Sequence, residues 1–297
     1  MQTKINFSLS DARSQIINHK SWGSYVVLDN FLNEDFFTEL CNSYNFSKQK
    51  FISNYQKKWY RFFLRFNRKS FENSIFTSIE APRIWRDEER PGVNLVIGGG
   101  GSDLSPFNNL FLKSSYCKDL IEWIYSNKGF EYFFNIFSDT PVFNNNISKK
   151  DKEDSIISCK LSSQLNNYGD YIHPDAQQKV ISFLLYLDDA GWEEDSIGGT
   201  DLWEVIDQKV LFEQNKNSLD YKYRNGRFSL KVPSVKLTME EAEKVRVFNN
   251  IEFKPNRLIG FVRNDSSYHA IPPRVLPPGV SRDCLQINIW NLKSRIK

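Results

Sequence analysis

The second half of the chain, from Ser155 to Leu292, consists of short segments in which apolar and polar residues alternate. Such alternation is typical of β-strands, because successive side chains of a strand point to opposite faces. Many short strands with Gly, Pro and Asn-Asp turns between them predict a mainly β fold, a cupin-like double-stranded β-helix (jelly roll) with N-terminal helices packed on it. In that fold, inward-facing residues of distant strands surround one pocket. The clearest segments are IISCKLSSQL, KVISFLLYLDD, GGTDLWEV, RLIGFVRN and RDCLQINIWNL.

A histidine and an aspartate stand two residues apart in the phrase YIHPD, at His173 and Asp175. On a strand with period 2, both side chains would lie on the same face and could bind one metal ion. A second histidine from elsewhere in the chain would complete a 2-His-1-carboxylate triad, which leaves open positions on a non-haem Fe(II). The remaining histidines are therefore the candidates for the third ligand.

The chain contains three histidines, so the candidates are few. His19 lies in the polar stretch SQIINHKSW, and we expect it on the surface. His269 follows an apolar strand, Leu258 to Val262, and a polar turn, which is where a neighbouring strand could deliver a ligand. For His269 alone, an ordinary core or surface histidine is the better explanation.

An arginine on the last predicted strand makes His269 a stronger candidate for a metal ligand. In RDCLQINIWNL, period 2 places Arg282, Cys284, Gln286 and Asn288 on one face and the aliphatic residues on the other. A guanidinium on the inward face of such a strand needs an anion, because an unpaired buried charge is too costly. The distal carboxylate of a dicarboxylic co-substrate suits the fork geometry of arginine.

His173-Pro174-Asp175, the apolar strand KVISFLLYLDD, the phrase GGTDLWE, His269 and Arg282, in this order, resemble the Fe(II)- and 2-oxoglutarate-dependent dioxygenases. The prolyl-hydroxylase-like branch is the most similar. The resemblance covers about Ile156 to Leu292, and the N-terminal phrase YVVLDNFLNEDFFTELC is similar to the entry strand and first helix of many members.

The resemblance implies roles for individual residues. His173, Asp175 and His269 would bind Fe(II), and Arg282 would pair with the C5 carboxylate of 2-oxoglutarate. Tyr186 matches a position that binds the same carboxylate, but on its own sequence context it is equally well explained as a core aromatic. Many members carry a small hydroxyl residue two positions after the arginine, where this chain has Cys284.

The implied reaction is oxygenation with O₂ as the oxidant and with release of succinate and CO₂. With Asp175 present, the resemblance implies hydroxylation or a related oxidation, because the halogenating relatives lack this carboxylate. The substrate stays open between a small molecule and a peptidyl group. Three alternatives also stay open: a jelly-roll protein with another divalent metal and no 2-oxoglutarate, which would leave Arg282 unexplained, a non-catalytic binding module, and a nucleic-acid demethylase.

We predict an N-terminal mixed α/β support region at residues 1–150 and a jelly-roll catalytic core at 151–297, parts of one enzyme unit. The polar run Asn144 to Asp154 marks the boundary. The two candidate histidine ligands are 96 residues apart (269 − 173), which indicates an insertion at about 204–250. Because long loops on a rigid scaffold tend to carry function, we expect substrate recognition there.

The N-terminal part predicts a strand at Ser24 to Leu32, an amphipathic helix capped by Asn33, and a helix at Lys118 to Phe137. Residues 48–69 mix lysine and arginine with aromatic residues. A solvated helix with buried aromatics explains this segment better than a platform for single-stranded nucleic acid. Gly98 to Gly101 lack the GK[ST] ending of a phosphate loop and are typical of a flexible loop or lid.

The formal net charge of +3 does not by itself indicate a polyanionic partner, so we do not expect nucleic acid. The four cysteines are scattered and form no CxxC pair, which favours a reducing compartment. We find neither a signal peptide nor an apolar run long enough for a membrane span. We therefore expect a cytoplasmic protein. The sequence does not indicate its oligomeric state.

Overall fold

The computed structural model describes residues 4–44, 74–80, 114–146, 152, 155–164, 170–175, 179–187, 199–206, 222–224, 227–229, 245–271 and 282–291. The helices are α1 (Leu9–Ser14), α2 (34–44), α3 (Ser115–Tyr125), α4 (Asn127–Ile136) and α5 (Pro141–Asn146). The strands are β1 (Ile17–His19), β2 (Gly23–Leu28), β3 (Ser74–Glu80), β4 (Ser155–Gln164), β5 (Asp170–His173), β6 (Lys179–Tyr186), β7 (Thr200–Val205), β8 (Lys222–Arg224), β9 (Arg227–Ser229), β10 (Val245–Ile251), β11 (Leu258–Val262), β12 (Tyr268–Ile271) and β13 (Arg282–Asn291).

The strands form two antiparallel sheets and a separate hairpin. The larger sheet has the order β1-β2-β11-β6-β13-β4-β3, and the smaller sheet has the order β10-β7-β12-β5. Strands β8 and β9 pair with each other and with no other described strand, and they lie within the predicted insertion. None of the described helices is long and apolar enough to cross a lipid bilayer.

The chain passes back and forth between the two sheets. Strands β4 and β6 belong to the larger sheet and β5 and β7 to the smaller one, and the return path from β10 to β13 alternates in the same way. This alternation of consecutive strands defines the double-stranded β-helix, so the predicted jelly roll is confirmed. Its eight strands bring β5, β12 and β13 around one interior space, although they are distant in sequence.

The N-terminal part contributes strands to the same sheet. Strands β1 and β2 extend the larger sheet beyond β11, and β3 extends its other edge beyond β4. Helix α5 occupies the first residues of the predicted boundary segment, up to Asn146. The division at residue 150 stays a prediction, as does the role of the insertion.

The main hydrophobic core lies between the helices and the outer face of the larger sheet. Leu285, Ile287 and Ile289 of β13 belong to this core together with buried residues of α3 and α4. The rings of Phe133 on α4 and Phe183 on β6 are 4.9 Å apart. Burial of this aromatic and aliphatic surface supplies the main driving force for docking the helices.

Two N-terminal predictions are confirmed with altered boundaries. Helix α2 begins after Asn33, whose Oδ1 accepts a hydrogen bond from the Phe36 amide (3.3 Å), as the cap predicted. The strand predicted to reach Leu32 ends at Leu28, because Asn30 adopts a left-handed backbone conformation with φ of 53°. The single helix predicted up to Phe137 is two helices, since Ser126 ends α3 and caps α4. Residues 48–69 and 98–101 lie outside the described residues.

Candidate metal and co-substrate site

The two faces of β13 have opposite characters, as the alternation predicted. Cys284 belongs to a second hydrophobic cluster, between the sheets, together with Tyr186 and Leu202, whereas Leu285 and Ile287 belong to the core under the helices. The face that carries Arg282, Cys284, Gln286 and Asn288 therefore points into the barrel.

The two candidate histidine ligands are neighbours in the smaller sheet. His269 on β12 is the Cα partner of His173 on β5. Residues directly opposite each other on antiparallel strands share one face of the sheet. The side chain of His173 lies outside the described part of the structure, so its role as a ligand stays a prediction.

Asp175 follows the strand rather than lying on it. Strand β5 ends at His173, and Pro174 cannot continue the ladder because it has no backbone N–H. The prediction that His173 and Asp175 lie on one strand is therefore wrong, whereas the prediction that their side chains share a face stays a prediction, because the His173 side chain lies outside the described residues. The position of Asp175 beside β6 is set instead by its own hydrogen bonds.

The carboxylate of Asp175 is buried, with 7% of the residue exposed, and two donors hold it. Lys179 Nζ donates to Oδ1 and Ser182 Oγ donates to Oδ2, each at 2.5 Å. The Nε of Arg263 donates to the backbone carbonyl of Asp175 (3.2 Å). Because Ser182 lies on β6 in the larger sheet, these bonds connect the end of β5 to the opposite wall of the barrel.

His269 is oriented by a backbone contact. Its Nδ1 donates to the carbonyl of Ser267 (3.1 Å), and its ring centroid lies 4.7 Å from that of Phe261. A histidine that donates from Nδ1 keeps a lone pair on Nε2, which is the usual state of a metal-binding imidazole. Phe261 is the Cα partner of Ser182, so His269 and the Asp175 carboxylate lie at the same end of the barrel.

These residues fit a divalent metal. One buried carboxylate, one buried imidazole with its tautomer fixed and a second histidine in register provide the oxygen and nitrogen donors of a 2-His-1-carboxylate site. Among the side chains that the structure describes, no group of three potential metal ligands is found, and the described set does not include the His173 side chain.

Arg282 forms the other end of the site. It is 3% exposed, and its Nη2 donates to Tyr186 Oη and to Thr200 Oγ1, both at 3.4 Å. The two hydroxyl groups are themselves hydrogen-bonded at 2.7 Å. The guanidinium carbon lies 5.0 Å from the centroid of the Tyr186 ring and 5.9 Å from that of Phe253. Arg282, Tyr186 and Thr200 therefore converge as one polar group in an aromatic surrounding.

Burial keeps the phenol of Tyr186 neutral. Desolvation raises the pKa of Tyr186 above its ordinary value, and the nearby Arg282 guanidinium lowers it only in part. A neutral phenol retains its proton and can donate a hydrogen bond. The ring is also stacked on Phe253, with centroids 4.5 Å apart. Both sequence-based explanations of Tyr186 thus describe features that it has: it is a core aromatic, and its hydroxyl contacts Arg282.

The floor of the barrel between these two ends is partly accessible. Leu184 of β6 and Gln286 of β13 are Cα partners, and each is only partly buried, although Leu185 and Ile287 beside them on the outer face are fully buried. Exposed surface on the inner face of a central strand indicates an open space inside the barrel. Ser182 and Tyr186, at opposite ends of this floor, are four residues apart, or about 13 Å along the strand.

Sequence reasoning missed four residues of the site: Thr200, Ser182, Lys179 and Phe253. Thr200 lies in the GGTDLWE phrase, but nothing in that phrase shows that its hydroxyl would meet Tyr186. Ser182, a lone hydroxyl in the apolar strand KVISFLLY, was a usable signal. Lys179, four residues after Asp175, was another, since the two form an ion pair. Phe253 had no local signal.

His19 differs from the surface residue that we expected. Its ring stacks on Phe248 with centroids 4.0 Å apart, and its Nδ1 accepts a hydrogen bond from the Trp22 amide (3.2 Å). Its Nε2 lies 3.9 Å from Glu204, and about a third of the side chain is exposed. These contacts place His19 at the junction between the β1–β2 hairpin and the smaller sheet, rather than at the candidate metal site.

No protein-family model matches the chain, and no curated protein matches it. Solved structures with a similar fold include a prolyl-4-hydroxylase from Pseudomonas putida (10% identity, 94% of this chain and 98% of that chain covered, TM-score 0.44). A 2OG-Fe(II) oxygenase family oxidoreductase from Burkholderia pseudomallei is also similar (10% identity, 96% and 91%, TM-score 0.41). So is a prolyl hydroxylase from Trichoplax adhaerens in complex with a hypoxia-inducible-factor peptide (13% identity, 95% and 89%, TM-score 0.39).

Proposed function

We propose that this protein is an Fe(II)- and 2-oxoglutarate-dependent oxygenase that hydroxylates an unactivated C–H bond. One observation carries the proposal: the barrel interior has an acidic and imidazole end at Asp175 and His269, and a cationic end at Arg282, joined by an accessible floor. A dicarboxylate that chelates a metal with one carboxylate and pairs with a cation through the other requires both ends in one pocket.

At the metal end, Asp175, His269 and His173 would hold Fe(II). Ser182 and Lys179 fix the orientation of the Asp175 carboxylate, and the Ser267 carbonyl fixes the His269 tautomer. Such supporting hydrogen bonds typically change metal affinity or activity 10- to 100-fold when they are removed. Asp175, Ser182 and His269 are buried, and Lys179 is partly exposed.

At the co-substrate end, Arg282 would bind the distal carboxylate of 2-oxoglutarate through its guanidinium. Charge-assisted hydrogen bonds from arginine to carboxylate are about twice as strong as neutral ones. The hydroxyls of Tyr186 and Thr200, which already contact Arg282, can donate to the same carboxylate. The aliphatic side chain of Leu184 lies on the floor between the two ends and suits the methylene groups of the co-substrate.

The bound metal, with 2-oxoglutarate and O₂, supplies oxidative decarboxylation to succinate and CO₂ coupled to oxidation of a substrate C–H bond. The residues of this chain hold the reacting groups and exclude water by burial. We propose a small molecule or a peptidyl group as the substrate, and we propose that the 204–250 insertion contributes to its recognition.

Anaerobic titration of the purified protein with Fe(II) and then 2-oxoglutarate tests the proposal. The chelate of Fe(II) with 2-oxoglutarate gives a weak visible charge-transfer band, and we expect the wild-type protein to show it. His269→Ala should abolish the band. Arg282→Leu should retain it only at much higher 2-oxoglutarate, about 30-fold or more, because a buried charge partner is lost. Arg246→Leu, at an exposed arginine of the smaller sheet, is the matched control and should behave as wild type.

If the wild-type protein binds Fe(II) but never shows the band, the co-substrate assignment is wrong. The protein would then be a jelly-roll metalloprotein that works without 2-oxoglutarate. If it binds no divalent metal at all, the metal site itself is wrong and a binding role without catalysis becomes the better explanation.

A further inference from the structure

Asn288 lies beside the candidate metal end on the inner face of β13. Its Cα partners are Ser182 on β6 and Ser158 on β4. Directly opposed residues share a face, with Cβ atoms about 5 Å apart. Because the Ser182 hydroxyl donates to Asp175, the Asn288 carboxamide belongs to the same wall of the pocket as the carboxylate that would hold the metal.

The Asn288 side chain is buried, and the proposed function gives it no role. It is 3% exposed, and it makes no side-chain hydrogen bond to any residue that the structure describes. Gln286 and Trp290, two positions away on either side and on the same face, are partly exposed, so the pocket is open along this edge of the strand. A carboxamide that borders an open pocket can form hydrogen bonds with a ligand or with water there.

The positions of Arg282 and Asn288 along β13 indicate which end of the pocket each residue lines. Arg282 and Asn288 lie on one face of the same strand, six residues apart, with Gln286 between them. Arg282 marks the end that would take the distal carboxylate of 2-oxoglutarate, so Asn288 marks the end that would take its keto acid. A neutral amide there can donate from Nδ2 to a carboxylate oxygen without adding charge beside Asp175.

We propose that Asn288 is a co-substrate-binding residue that donates a hydrogen bond to the metal-side carboxylate, C1, of 2-oxoglutarate. This inference rests on the proposed function and adds a residue that the sequence analysis did not assign to the site. With Arg282 it makes β13 the strand that contacts both carboxylates of the co-substrate.

The test is the 2-oxoglutarate affinity of Asn288 variants in the Fe(II)-loaded protein, measured anaerobically from the charge-transfer band. Asn288→Leu removes the donor, and we expect the affinity to fall about 10-fold or more, as for other hydrogen bonds to charged groups. Asn288→Asp places a second negative charge beside the carboxylate and should weaken binding further. Asn250→Leu, at an exposed asparagine of the smaller sheet, should bind 2-oxoglutarate as the wild-type protein does.

A second measurement separates a binding role from a structural one. The affinity for Mn(II) alone, by calorimetry, should be unchanged in Asn288→Leu, since the inference gives Asn288 no contact with the metal. If leucine prevents folding, Asn288→Ala replaces it and should weaken 2-oxoglutarate binding by a similar factor, because alanine also lacks the donor.

Three outcomes overturn the inference in distinguishable ways. If the wild-type protein shows the band and both Asn288→Leu and Asn288→Asp bind 2-oxoglutarate with wild-type affinity, the inference fails and the proposed function stands. If Asn288→Leu loses Mn(II) affinity in parallel with 2-oxoglutarate affinity, Asn288 supports the metal site instead. If the wild-type protein itself shows no band, the proposed function fails and the inference falls with it.

Discussion

The two faces of the larger sheet carry different kinds of side chains, although both belong to the same strands. On the outer face, Phe183, Leu185 and Ile287 are packed under the helices and carry no polar atom in their side chains. On the inner face, the same strands present Ser182, Leu184, Tyr186 and the polar residues of β13, and several of these are partly exposed. The outer face stabilises the fold. The inner face is packed around Tyr186 and Cys284 but partly open at Leu184 and Gln286, which leaves room for a site.

This division explains how buried polar groups are tolerated near the barrel axis. The Arg282 guanidinium and the Asp175 carboxylate are both nearly inaccessible, and each is held by neighbouring hydrogen-bonding groups. Buried charges stabilise a protein less than apolar packing of similar volume, so their presence is better explained by ligand binding than by stability. Substitutions on the two faces should therefore separate stability from co-substrate affinity.

The largest effect should come from the outer face. Phe183→Ala removes a ring that packs on Phe133 and Phe137, and we expect the free energy of unfolding to fall by about 3–5 kcal/mol. Leu184→Ala, one residue away on the inner face, should cost only about 1 kcal/mol, because part of its side chain is already accessible. Chemical denaturation of both variants gives the comparison. Equal losses would show that the inner face is also part of the packed core.

A smaller effect should appear on the inner face. Tyr186→Phe removes the hydroxyl that contacts Arg282 and Thr200 but keeps the ring stacked on Phe253. We expect 2-oxoglutarate affinity to fall by about 3- to 10-fold, equivalent to one hydrogen bond, with the fold retained. The charge-transfer titration measures it, and circular dichroism checks the fold. Wild-type affinity in this variant would leave Tyr186 as a core aromatic only.

The smallest effect, on the free energy of unfolding, should come from an ion pair that belongs to neither face of the larger sheet. Arg257 donates to both oxygens of Asp29, from Nε at 2.5 Å and from Nη2 at 3.0 Å, and Lys254 adds a third contact. These donors, the Arg257 hydrogen bond first, hold the pKa of Asp29 below its ordinary value of 3.8. A lowered pKa means that the carboxyl stabilises the folded state fully above the ordinary value, and that this contribution is lost as the pH falls below that value and through the lowered pKa of the folded protein.

Asp29→Asn should therefore lower stability at pH 7 by less than about 1 kcal/mol, since the pair is partly exposed. Thermal melts of the variant and the wild-type protein should differ at pH 7 and converge as the pH falls below 4. A difference that stays constant down to pH 3 would show that the carboxylate charge is not what the contact depends on.

The sequence predicted the fold through its periodicity. Alternation in RDCLQINIWNL separated Arg282 and Cys284 from Leu285 and Ile287, and the structure has the same separation. Capping also gave the start of α2 at Asn33. Local signals of this kind suffice because each strand must match its buried face in order to pack at all.

The parts that could not be predicted depend on contacts between distant residues. Thr200 meets Tyr186 across 14 residues and Arg282 across 82, and no short-range pattern encodes such a meeting. The departure of Asp175 from β5 depends on Pro174 and on donors from the opposite sheet. The helix predicted as one element divides at Ser126, because one serine can end a helix and cap the next.

The most direct test of the central claim is a crystal structure grown anaerobically with 2-oxoglutarate and Mn(II), a redox-stable substitute for Fe(II). We expect the metal to be bound by His173, Asp175 and His269, and the distal carboxylate of 2-oxoglutarate to lie on Arg282. A metal bound at other residues, or 2-oxoglutarate bound without contact to Arg282, would contradict the claim that the inner face of the barrel forms a two-ended co-substrate site.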